Sequence, residues 1–160
     1  MGNFLVVLTF FAYASIAFSA EPLEGSWVLD PTETTFTEGT RLQPQILTIE
    51  RRGSEFIYTG ATGSQILIRY TVPVAGGTGK FITGPYDGVF HKRIDAYRRE
   101  ATYYKGGKAM MSFQGEVDKD GRHLRIKVKG IDAQGKPISR LSVYTKSRLR
   151  KVQKELQRKP

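Results

Sequence analysis

From Glu24 to Lys146 the chain alternates apolar and polar residues in short runs rich in Val, Ile, Phe, Tyr and Thr, and no helical period competes with them. The alternation predicts nine strands: Gly25–Asp30, Gln45–Arg51, Glu55–Gly60, Gln65–Val74, Val89–Asp95, Ala101–Lys105, Lys108–Val117, Arg122–Ile131 and Pro137–Lys146. Between several of them lie tight glycine clusters, Arg52-Gly53-Ser54, Ala61-Thr62-Gly63, Gly106-Gly107, Lys119-Asp120-Gly121 and Ala133-Gln134-Gly135. Glycine adopts the positive φ that a short hairpin demands, so each cluster predicts a hairpin turn.

Parity assigns the faces. Ile66, Ile68, Tyr70, Val72 and Val74 alternate in one run, Ala109, Met111, Phe113 and Val117 in another, and Leu124, Ile126 and Val128 in a third. The opposite positions hold Arg69, Gln114, Glu116, Arg125, Lys127 and Lys129, the pattern of antiparallel strands with one wet face. Eight to nine such strands joined by hairpins satisfy their edge hydrogen bonds most simply by closing into an up-and-down antiparallel barrel. A two-sheet sandwich is the alternative, and the hairpin connections favour the meander.

Two segments break the rhythm. Pro31 to Pro44 is polar and Thr-rich, a loop long enough to lie over a barrel mouth, and Gly76 to Gly88 is too rich in glycine for a regular strand throughout. The end of the chain, SRLRKVQKELQRKP, changes character: Leu149, Val152 and Leu156 make a narrow helical stripe on an otherwise cationic segment. Residues 1–20 are apolar and uncharged, with small residues at Ala17 and Ser19, and predict a secretory signal peptide cut near Ser19. An uncleaved anchor is the alternative. The domain plan is therefore a leader over 1–19, a barrel over 20–146 and a basic tail or helix over 147–160.

The composition narrows the chemistry. The 160 residues include no cysteine, which excludes disulfides, thiol nucleophiles and cysteine metal sites, and only two histidines. The formal charge is +10, with 25 basic against 15 acidic residues, so an exported form is drawn to anionic surfaces. The stretch GGTGKF lacks the hydroxyl residue after lysine that a phosphate-binding loop needs. Asp118-Lys119-Asp120-Gly121 lacks the closing glutamate of a calcium loop and reads as a plain hairpin. Neither a cofactor nor a metal is implied.

Further along, the segments GSWVLDPTETTF, PYDGVFHKRID and VDKDGRHLRIKVKGIDAQGKPISRLSVYTK together resemble a family of small bacterial exported lipocalin-like proteins, calycin-type β-barrels of unassigned function. The similarity runs from about Leu23 to Lys146. It implies that Gly25 and Trp27 close one end of the barrel and that Gly130, Asp132, Gly135 and Pro137 build a turn. It implies no catalytic residue.

Three functional readings follow. Tyrosines 70, 97, 103, 104 and 144 accompany arginines 69, 93, 125 and 140 on strands or strand ends. A guanidinium and a tyrosine hydroxyl in an apolar wall would suit an amphiphile with a carboxylate or phosphate head. The first reading is thus a non-enzymatic binding barrel for a small apolar or anionic amphiphile, with Trp27, Tyr70, Arg93 and Tyr103 as ligand-binding residues. The bland alternative places the arginines in water. The second reading gives the tail residues Arg148, Arg150, Lys151, Lys154, Arg158 and Lys159 to an anionic membrane surface or polysaccharide, with nucleic acid not expected as a partner. The third is a barrel isomerase or esterase using His91 as a base oriented by Asp95, although no nucleophile motif accompanies it.

Overall fold

The structure is a computed structural model that describes residues 21–38 and 43–147. It is all-β among those residues. The strands are β1 (Gly25–Leu29), β2 (Thr35–Glu38), β3 (Ile46–Arg52), β4 (Glu55–Thr62), β5 (Gln65–Pro73), β6 (Gly76–Thr83), β7 (Gly88–Arg93), β8 (Arg98–Lys105), β9 (Lys108–Val117), β10 (His123–Ile131) and β11 (Pro137–Lys146).

Strands β3 to β11 pair antiparallel in chain order, and β1 lies between β3 and β11 to close the ring. Trp27 opposes Lys146 on one side and Leu47 on the other. No strand edge is left open where the ring closes, which is how a barrel disposes of unpaired backbone groups. β2 pairs with β11 at Ser139–Leu141, just beyond the Tyr144–Lys146 stretch that β1 covers. β1 and β2 are therefore two halves of one broken stave. The break is held by Thr34, whose hydroxyl donates to the Asp30 carbonyl at 2.7 Å and accepts from the Val143 N–H at 3.1 Å.

Ten strands thus close the barrel and an eleventh extends it, against the eight to nine expected. All nine predicted runs are strands. The two additions lie in the segments that broke the alternation. β6 forms despite its glycines because the sheet is pinched there: a Cβ at Gly79 would lie 2.2 Å from the Thr71 carbonyl oxygen. β2 is only four residues long and pairs with a single neighbour. The expected helix and its cationic residues fall at 148–160, and the leader at 1–19, outside the described residues.

The barrel has two different ends. At one, the β3–β4, β5–β6, β7–β8 and β9–β10 hairpins gather with the incoming residues 21–24 and the outgoing Lys146–Ser147. Trp27, Phe56, Val72, Val117 and Leu124 are buried to 2% exposure or less and fill it. Trp27 Nε1 donates to the Leu23 carbonyl at 2.9 Å, and the Lys146 ammonium lies 4.8 Å over its ring. The β4–β5, β6–β7, β8–β9 and β10–β11 turns meet residues 30–38 and 43–45 at the opposite end, the mouth.

Candidate functional site

Inward-facing side chains leave a cavity of about 280 Å³, close to the lower bound of roughly 300 Å³ for small-molecule sites. Its walls are built by the alternation that defined the strands. Cross-strand neighbours Ile49–Tyr58, Tyr58–Tyr70, His91–Ala101, Ala101–Phe113 and Phe113–Val128 carry the lining from β3 around to β10. At the mouth it reaches Pro85 and Tyr86 of the β6–β7 turn, Asp132–Gln134 of the β10–β11 turn, and Gln43 and Pro44. Those last two are fastened to the wall: Ser142 Oγ donates to Gln43 Oε1 at 2.5 Å, and the Tyr144 hydroxyl donates to the Pro44 carbonyl at 3.0 Å.

Aromatic rings dominate one wall. Tyr58 and Tyr70 stack at 4.9 Å and 7°, Tyr70 meets Tyr103 edge-on at 5.6 Å, and Tyr103 packs on Phe113 at 4.3 Å. Burial pushes the Tyr58 and Tyr144 hydroxyls up to about 12 and the Tyr70 and Tyr103 hydroxyls well above their ordinary value. All four are neutral at physiological pH.

Two arginines line this apolar space. Arg99 on β8 is 4% exposed; its Nη2 donates to the Val74 carbonyl at 2.6 Å, and its guanidinium lies 4.9 Å over the Phe56 ring. Its Nε and Nη1 have no hydrogen-bond partner among the described residues. Arg140 on β11 stands nearer the mouth, with the Tyr144, Tyr86 and Tyr103 hydroxyls in its surroundings. Desolvation lowers the pKa of both arginines.

The sequence-predicted residues separate by position. Tyr70 and Tyr103 line the cavity. Trp27 is buried in the plug of the closed end and is not among the lining residues. Arg93 lies at the outer edge of that end, where its Nη2 donates to Glu21 Oε1 at 3.0 Å, and it does not line the cavity. The six cations from Arg148 to Lys159 fall outside the described residues. Arg99 went unnoticed because its predicted strand began at Ala101. Extending that strand by two residues puts Arg99 in phase with Ala101 and Tyr103, and this was the available signal.

His91 is 3% exposed and lines the cavity, with Nε2 3.2 Å from the Tyr70 hydroxyl. Burial, helped by the Arg99 charge, pushes its pKa down to about 3. The imidazole is therefore neutral, and the dominant cause is desolvation. Asp95 does not orient it. That carboxylate accepts from the Tyr97 and Arg98 N–H groups at 2.8 Å each and from Arg98 Nε, capping its own turn.

Outside the cavity, Asp118, Asp120 and His123 bring three potential ligand atoms within 4.8 Å of one another on the β9–β10 hairpin. Asp118 is already engaged by Arg125 and by His123 Nδ1, so the group reads as a charged turn. When compared with known proteins, the chain matches no family model and no curated protein.

Proposed function

We propose that this protein is an exported, non-enzymatic carrier whose barrel holds one small apolar or anionic amphiphile. The carrying observation is the cavity: apolar and aromatic over most of its wall, bounded at one end by a packed plug, and supplied with a few convergent polar groups. The apolar leader over 1–19 supports a periplasmic or secreted setting. His91 is a weak base, its pKa pushed down to about 3 by burial, and no carboxylate orients it, which disfavours the base-catalysed alternative.

The test is native mass spectrometry of the purified protein beside an Ala101→Phe variant, in which a ring fills space next to His91 and Phe113. A small molecule retained by the wild type and lost from the folded variant is expected. Equal retention by both would remove the cavity from the account.

One geometric fact favours a second, compatible role. Ser147, the residue before the cationic segment, is tied to the closed end, opposite the mouth, its N–H donating to the Ser26 carbonyl at 2.7 Å. Binding of anionic membrane or polysaccharide through that tail would leave the mouth free. Deleting residues 148–160 should abolish adsorption to anionic vesicles at low salt, and persistence of adsorption would exclude the role.

A further inference from the structure

We propose that Arg99 is the anion anchor of the cavity, and that the preferred ligand is a monocarboxylate amphiphile held with its head at the closed end and its tail directed toward the mouth. This rests on the carrier function above and names its ligand class.

Arg99 is short of acceptors. A buried guanidinium needs acceptors for its N–H groups, and leaving them unmade is costly. Val74 serves Nη2, while no acceptor among the described residues serves Nε or Nη1. No carboxylate of those residues comes within ion-pair distance of Arg99. Glu21 is felt at Arg99 only as a more distant charge, and its carboxylate is bonded to Arg93. Arg93 is also the cross-strand partner of Arg99, so it adds positive potential rather than compensating it.

Charge and shape then select the head group. The other polar groups on this part of the wall, His91, Tyr58 and Tyr70, are uncharged. At the closed end the single guanidinium of Arg99 balances one negative charge, whereas a phosphate dianion there would leave an excess against an apolar wall, because Arg140 stands toward the mouth. A carboxylate is planar, singly charged and able to accept more than one N–H from a guanidinium. From Arg99 toward the mouth the wall passes Tyr70, Tyr103, Met111 and Phe113, surfaces that suit a hydrocarbon tail. Arg140 lies near the mouth beside tyrosine hydroxyls and is the rival anchor.

Titration calorimetry with dodecanoate, dodecan-1-ol and dodecyl phosphate separates the possibilities, using the purified wild type, Arg99→Met and Arg99→Lys. Wild type is expected to prefer dodecanoate over the alcohol by about tenfold or more, the scale of a hydrogen-bonded charge pair. Arg99→Met should lose that preference while keeping its affinity for the alcohol, and Arg99→Lys should retain part of it. If Arg99→Met does not fold, the head-group ranking of wild type and Arg99→Lys decides. Equal affinity for acid and alcohol, stronger binding of the phosphate, or a carboxylate preference surviving in Arg99→Met would each overturn the assignment and leave the carrier function standing. Failure of all three probes to bind the wild type would overturn both.

Discussion

Inside the barrel wall, the Tyr70 hydroxyl and His91 Nε2 lie 3.2 Å apart, joining β5 to β7 across the intervening β6. The bond belongs to a neutral imidazole, because His91 titrates at about 3 when folded and near 6.5 when exposed. Between those values the unfolded chain binds a proton that the folded chain refuses. The stability associated with neutral His91 is therefore complete above about pH 6.5 and is lost as pH falls toward 3. His91→Gln keeps a hydrogen-bonding side chain without this titration. Urea midpoints at pH 7 and pH 4.5 should fall further in wild type than in the variant; equal falls would show that His91 is not the group responsible.

Trp27 plugs the closed end while bonded to Leu23 and covered by Lys146. Trp27→Ala removes a side chain of 0% exposure and should cost about 3–5 kcal/mol, whereas Lys146→Met keeps most of the packing and should cost about 1 kcal/mol. Denaturant unfolding followed by circular dichroism measures both. A loss of similar size in the two variants would mean that the plug is held by charge rather than by packing.

Gly130 combines φ of +140° with a site where a Cβ would lie 2.1 Å from the Met110 carbonyl oxygen. Gly53 has φ of +60° and nothing within 4 Å of its would-be Cβ. Gly53→Ala should lower stability by about 1 kcal/mol, the cost of left-handed backbone alone. The alanine at Gly130 should cost more, since β9 must also move aside. Melting temperatures rank the pair, and an equal drop would show that the β9–β10 approach relaxes freely.

The contrast between legible and hidden parts follows the same physics. Nine strands declared themselves because inward positions such as Tyr70, Met111 and Leu124 are apolar while their neighbours are not. β6 was hidden because close backbone approach at Gly79 replaces side chains with glycine, erasing the alternation. β2 was hidden because four residues pairing with one neighbour leave too short a pattern. Tyr70 could be placed on the inward face from parity, whereas Arg99 was missed because an arginine at an inward position breaks the apolar alternation and the run was begun at Ala101, two residues late. The closed end was assigned to Trp27 through a short motif, and Trp27 does pack there. That Lys146 covers it emerged only from the register of β1 on β11.

A carrier function requires the cavity to accept a molecule. Met111 lines it and Met110 does not, so methionine methyl NMR reads the interior directly. On titration with dodecanoate, the account predicts that the Met111 methyl resonance shifts and saturates at one equivalent, with the Met110 resonance changing less. A Met111 resonance that stays fixed while other signals drift without saturation would contradict it.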